Sequence, residues 1–516
     1  MSMPSLSLSV PLQRALWAVA GLSLLLRLFI SATFPITGDE AFFYWWGVYP
    51  DWGYYDHPPM VGWFIAAMLQ LFGDATWSIR LPIVLLPLVQ GLVLWWGVAA
   101  WDRERAPWAA LLFWLTPLNW INTLITTDTP LMLWSMLSIA CLMHAEARAR
   151  MDGRTWTLYA LSGLFIGYAF LSKYFSVVLG LSYLVYFALV RRERWAGMLV
   201  LVLAALPGPA INVWWNMGHG WSNIMFNVYN RNQGEVFGWH KPGLYLLTWA
   251  YLLTPGVLWL GVKHRAGLRN AWSKHRLLAC LTGVPVAFFA LLSLKKVIGL
   301  HWVLSFYPLM FASLALALPR EALPRAGRYL AVFLGLHLLV VGGMYTRDLA
   351  DWKDVKIYPE IVRSYRTEAL LEQVKTPNAV IMATAYTPAA IYGHALKHYV
   401  PVFGLGKFHA RQDDLLVDYA RFDGKTIRII SFSRPELPDY APYFQQVTLL
   451  DMSQSGAQFF VVEGQGFRYE LYRQQVLGEI FRRYYNIPAW LPMTGCPFCE
   501  RYCGQVRCPR PEGDTR

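Results

Sequence analysis

The chain has 516 residues, 56% of them hydrophobic and only 15% charged, which is too apolar for an ordinary soluble enzyme of this length and reads as a polytopic α-helical membrane protein. A formal net charge of +13 could point to nucleic acid. The Lys and Arg residues sit in short clusters between apolar runs, however, where they report membrane orientation or contact with anionic membrane lipid, so no nucleic-acid partner is expected.

A spanning helix needs about 20 mostly apolar residues. Eleven runs of roughly that length, some shorter, occur at 14–34, 77–100, 107–126, 129–145, 156–172, 174–190, 195–215, 243–262, 277–294, 300–318 and 328–346. The first has no positive charge before Arg14 and no A-x-A site after it, so it is expected to stay as a helix rather than be cleaved as a signal peptide. Alternate connections are basic: WDRER (101–105), ARARMDGRT (147–155), RRER (191–194), KHRAGLRNAWSKHR (263–276) and PREALPRAGR (319–328). These are expected on the cytoplasmic side. The other set, poor in Lys and Arg, is expected outside: the loop 35–76, TTDTP (126–130), the turn at Ser172 and Lys173, the loop 216–242, LKKVIGLH (294–301) and everything after 346. The phase holds across all eleven runs, whereas a missed helix would have inverted the bias downstream.

The first outer loop carries Asp39, Glu40, Asp51, Asp56 and His57 among many Phe, Tyr and Trp side chains, with no Lys or Arg from 35 to 76. Within it, 41–49 and 60–72 have helical apolar spacing but are too short to span, and are expected to lie in the interface on either side of the break at Pro58 and Pro59. From about 347 the composition turns soluble. Runs 379–385, 426–432, 446–450 and 457–463 read as strands and 388–397, 411–420 and 473–484 as helices, giving a small α/β domain after a membrane region 1–346. Its tail places Cys496, Cys499, Cys503 and Cys508 at intervals of three, four and five residues. Paired zinc sites have a wider gap between halves, so in an oxidising compartment these are expected as disulfides.

Ionisable residues at membrane depth are costly and usually paired or functional. On the expected outer face they are Asp39, Glu40, Asp56, His57, Asp128, Lys173, Lys295, Lys296 and His301. Acids there can act as a base or orient a hydroxyl, and cations can neutralise a phosphate at the bilayer surface. Competing readings stay open: Asp39, Glu40 and Asp128 as helix caps, Lys173 as a snorkelling side chain. The sequence establishes no cofactor, although a divalent metal cation is compatible with the hard oxygens of Asp39, Glu40 or Asp56.

The run GDEAFFYWWGVYPDWGYYDHPPMVGWFIAAM, followed by Arg80, TTDTPLMLW, FLSKY and LKKVIGLHW, resembles the bacterial branch of the polyprenyl-phosphate-sugar-dependent glycosyltransferases, protein-mannosyltransferase-like enzymes that include the aminoarabinose and galacturonic acid transferases acting on lipid A and lipopolysaccharide core. The similarity spans about 15–345. It implies a GT-C fold in the bacterial inner membrane with a periplasmic C-terminal domain, and inverting transfer from a polyprenyl-phosphate-linked sugar to a lipid A or lipopolysaccharide acceptor. By the same resemblance Asp39, Glu40 and Asp128 are the catalytic candidates, and Tyr55, Asp56, His57, Arg80, Lys173, Lys295, Lys296 and His301 the substrate-binding ones. The sequence departs from the aminoarabinose transferases, which carry Lys before the paired prolines where His57 stands here. Transfer to protein Ser or Thr, or to another glycan, is the alternative within the class. A transporter or lipid flippase is the alternative outside it, though that architecture places its polar groups at the bilayer midplane.

Overall fold

A computed structural model describes residues 9–230, 236–406 and 411–503. The chain forms two compact units. The first comprises Met1–Phe34, Leu71–Ala210 and Gly234–Tyr345; the second comprises Pro35–Gln70, Ile211–Gln233 and Thr346–Arg516. The units divide between Tyr345 and Thr346, beside the boundary expected near 346, and the second unit also takes in Pro35–Gln70, the aromatic outer loop, and Ile211–Gln233.

In the first unit, helices Val10–Thr33, Thr76–Ala99, Arg276–Ser293 and Leu323–Tyr345 are long and apolar enough to cross a membrane, as is Arg192–Gly218, which runs on into the second unit. A sixth span arises if His240–Leu253 and Pro255–Lys263 count as one, bent by 91° where Thr254 takes a φ of 64°. The other expected spans are helical but shorter, interrupted or, in Asp128–Glu146 and Gly153–Phe170, long enough but less apolar. The run 107–126 forms Ala106–Trp114 and Leu118–Ile121, parted at Thr116 and Pro117, and 300–318 forms a turn at Leu300–Val303 before Tyr307–Ala317.

Arg27 explains how three of these helices meet. Pro87 has no N–H to give to the carbonyl of Ile83 one turn earlier, and a bare carbonyl is costly in hydrocarbon. The buried Arg27 guanidinium donates to that Ile83 oxygen, through Nε to the Val84 oxygen at 3.0 Å and through Nη1 to the Asn119 oxygen at 3.0 Å. Asn119 is in turn fixed by the Tyr307 hydroxyl, which donates to its Oδ1 at 2.6 Å. A buried cation is thus satisfied by carbonyls that a proline and a helix end leave exposed.

In the second unit a four-stranded sheet runs β1 (Ala379–Ala383), β2 (Thr426–Ser431), β4 (Ala457–Gln465), β3 (Gln446–Gln454) in spatial order. β1 and β2 are parallel and the other pairs antiparallel. The β3–β4 hairpin turns through Ser455 and Gly456, whose φ values of 51° and 83° suit the twist of the strands. Alternate side chains serve two cores: Met382, Ile427, Ile429 and Val462 on one face, Ile381, Ala383, Ile430, Phe459 and Val461 on the other.

The helix expected at 388–397 is Tyr386–Leu396, and 473–484 is helical through Arg473–Leu477 and Gly478–Tyr484. The helix expected over 411–420 is a correction: only Asp413–Leu416 is α-helical, followed by a 3-10 turn at Tyr419–Phe422. The side chains there face inward, with Arg411 paired to Asp414 and Asp413 accepting from the Val402 N–H at 2.7 Å. Cys496 is disulfide-bonded, whereas Cys499 and Cys503 are not in a disulfide, so the expectation that all four tail cysteines pair is corrected for these two. Cys508 lies outside the described residues.

Candidate active site

The acidic outer loop is held by its own helix signals. Thr37 precedes helix Gly38–Val48, and Glu40, at its third position, accepts from the Thr37 N–H at 3.2 Å and hydroxyl at 3.1 Å. Glu40 is fully buried in this role. Asp39, one residue earlier, stays solvent-accessible. The helix reaches this position by resting on Tyr386–Leu396: a Cβ added to Gly38 would meet Thr387 at 2.6 Å, and Phe42 meets the Tyr386 ring edge-on at 5.1 Å.

The Tyr386 hydroxyl donates to Asp39 Oδ1 at 3.2 Å. The protein mass around Asp39 pushes its pKa above the usual 3.8; the Tyr386 hydrogen bond works against this rise, while Asp56 adds to it and His57 opposes it. Asp56 is buried, with Oδ2 3.2 Å from His57 Nδ1 at ion-pair distance. Its other oxygen, Oδ1, has no hydrogen-bond partner among the described residues.

Three amide side chains fix the backbone that carries these groups. Asn223 Nδ2 donates to the Tyr54 oxygen at 2.9 Å, Asn227 Nδ2 to the Asp56 oxygen at 2.7 Å, and Gln412 Oε1 accepts from the Tyr55 N–H at 3.1 Å. Tyr55 itself is buried, its ring 6.0 Å from Phe226.

The remaining candidates lie in the first unit. Lys173 Nζ bonds both oxygens of Asp128, at 2.8 and 2.9 Å, and lies 5.2 Å from the Phe175 ring; both partners are buried. Arg80, fully buried, donates to the carbonyls of Ser31 and Phe34 at 3.1 and 2.7 Å and so closes the C-terminus of Val10–Thr33, where a cation also suits the helix dipole. Lys295 and His301 are exposed and Lys296 half-buried. The buried Lys241 donates to the Lys295 carbonyl at 2.6 Å and to the Val236 carbonyl at 2.8 Å.

Residues 56–215 match the family model described as dolichyl-phosphate-mannose-protein mannosyltransferase. A lipid A galacturonosyltransferase of Rhizobium johnstonii is 30% identical over 216 residues, which are 40% of this chain and 43% of that protein. An undecaprenyl phosphate-alpha-4-amino-4-deoxy-L-arabinose arabinosyl transferase of Aeromonas salmonicida is 26% identical over 311 residues, 56% of this chain and 55% of that one. The matches thus span about half the length of these curated relatives. The crystal structure of ArnT from Cupriavidus metallidurans in the apo state aligns with a TM-score of 0.63 at 14% identity, covering 87% of this chain and 98% of that chain. The chain has the GT-C fold. The resemblance read from the acidic loop and the motifs that follow it is borne out.

Within this GT-C chain the structure brings Asp39, Asp56 and His57 into one electrostatic group, pairs Asp128 with Lys173, and gives Glu40 and Arg80 to helix ends. Among the described residues no three His, Cys, Asp or Glu side chains assemble to hold a metal ion, and Glu40 is turned into its own helix cap. Sequence reasoning missed Tyr386, Gln412, Asn223, Asn227 and Lys241. The asparagines alone left a trace, a spacing of four that puts both on one helical face.

Proposed function

We propose that this protein is an inverting glycosyltransferase that moves a sugar from a polyprenyl-phosphate donor to lipid A or lipopolysaccharide core, in the bacterial inner membrane with its C-terminal residues in the periplasm. The observation that carries the reading is Asp39, an accessible carboxylate with a raised pKa, standing at the head of a helix in a GT-C chain whose relatives include a lipid A galacturonosyltransferase. ArnT of the same fold has been solved bound to undecaprenyl phosphate, which supports a lipid-phosphate donor.

Asp39 takes the proton from an acceptor hydroxyl, or orients an acceptor phosphate that is already ionised. Asp56 and His57, paired beside it, set the charge around Asp39. Lys295, Lys296 and His301 are, by charge and by the resemblance, the candidates to bind a prenyl phosphate. Asp128 and Lys173 act as a pair that holds two helix ends, and Glu40 and Arg80 position the backbone.

Mass spectrometry of lipid A and lipopolysaccharide from wild-type, deletion and Asp39→Asn strains tests this. The expected result is one sugar increment lost in both mutants. The family model's description favours protein Ser or Thr as a second acceptor class, and unchanged lipids with altered periplasmic glycoproteins would select it.

A further inference from the structure

We propose that Tyr386 is a positioning residue of the transferase site, fixing the Asp39 carboxylate through its hydroxyl so that the C-terminal domain supplies part of the reaction geometry. This rests on Asp39 having the role given above.

Asp39 stands, exposed, at the second residue of its helix. Glu40 makes the cap. What restrains Asp39 is the single hydroxyl of Tyr386, donating to Oδ1 at 3.2 Å from a residue 347 positions away. Tyr386 is well fixed itself. It is the first residue of Tyr386–Leu396, its ring abuts Phe42, and its neighbour Thr387 fills the space that Gly38 leaves open. The two helices are therefore registered by side-chain contacts on both sides of the Asp39–Tyr386 bond. Farther along the same pair of helices, Tyr44 meets His394 edge-on at 4.7 Å and Lys397 lies 5.4 Å from the Tyr44 ring.

The chemistry suits this arrangement. A phenol donates one hydrogen bond to a carboxylate and leaves the other oxygen free to face an acceptor. A lysine in the same place would cancel the charge, as Lys173 does at Asp128. A misplacement of about 1 Å in a reacting group can cost about 100-fold in rate.

The test is steady-state transfer by the purified full-length protein in lipid, using a polyprenyl-phosphate sugar and lipid A, with melting temperature measured in parallel. Wild type, Tyr386→Phe, Asp39→Asn and Tyr399→Phe are compared. Tyr386→Phe keeps the ring against Phe42, and Tyr399→Phe removes a hydroxyl that donates to Asp413 in the same domain, away from Asp39. The expected result is a kcat for Tyr386→Phe lowered at least tenfold with donor KM within twofold and an unchanged melting temperature, while Tyr399→Phe keeps its kcat. An unchanged kcat in Tyr386→Phe, with Asp39→Asn inactive, overturns the proposal alone. A loss of activity that follows the folded fraction, with normal kcat per folded molecule, also overturns it and reduces Tyr386 to a packing contact. Full activity of Asp39→Asn overturns the role of Asp39 and the proposal with it.

Discussion

Asp39 and Asp128 both stand in the first turn of a helix, in loops that the charge pattern puts on one side of the membrane, yet their surroundings are opposite. Asp128 is buried and locked to Lys173 by two hydrogen bonds, so its charge is spent within the fold. Asp39 is accessible and has a hydroxyl for a partner, so its charge remains available. The difference teaches that an acid in the right loop is not enough: a cation turns a carboxylate into a structural tie, while a neutral donor orients it and leaves it able to react.

The largest effect expected from breaking this contrast is at Asp39. Asp39→Asn should lower kcat by about 100-fold to 10,000-fold, the range for losing a general base, with an unchanged melting temperature. Because burial raises the Asp39 pKa, activity that needs the carboxylate should fall with decreasing pH at a higher pH than an ordinary aspartate, near 4, would give. A rate profile flat through that region would remove the contrast.

Next comes the tie. Asp128→Asn or Lys173→Gln alone strands a buried charge and should cost about 3–5 kcal/mol in denaturation, whereas the double variant should cost less than either. A Lys173→Gln protein that keeps its melting temperature but shows a large rise in donor KM would instead make Lys173 a phosphate ligand. A smaller effect is expected at Glu40: Glu40→Ala removes the cap and should cost about 1 kcal/mol, with kcat per folded molecule preserved. Loss of kcat at full stability would return Glu40 to the chemistry.

The smallest effect concerns a carboxylate paired in the way of Asp128 but half-buried. The Arg428 hydrogen bond, 2.7 Å across the β2–β4 ladder, holds Glu463 below its usual pKa. A depressed folded-state pKa gives stability that is present above about pH 4.5 and lost as pH falls through the lowered value. Arg428→Ala should remove that dependence from the acid limb of thermal melting and cost no more than about 1 kcal/mol at neutral pH. An unchanged acid limb would show the pair to be idle.

The apolar runs were legible because hydrocarbon demands a continuous stretch, and each of the eleven contains helix in the structure. The strands were legible from alternation, since the sheet has two separate cores to fill. What escaped is whatever depends on partners distant in the chain. Lys173 meets Asp128 across 45 residues, and Arg80 finds carbonyls more than 40 residues back. The stretch Arg411, Gln412, Asp413, Asp414 is polar and charged, yet all four are buried, because Arg411 answers Asp414, Tyr399 answers Asp413, and the acidic loop answers Gln412. Tyr386 carries no signal at all: one tyrosine in an apolar chain acquires meaning only when Asp39 arrives beside it.

That arrival has a consequence in time. Asp39 leaves the ribosome 347 residues before Tyr386, which at bacterial elongation rates of 5–20 residues per second is roughly 20–70 s. Throughout that interval the acidic loop has neither Tyr386 nor Gln412 to rest on. If Asp39 has the role proposed for it, its contact with Tyr386 forms only after the eleven apolar runs have been made.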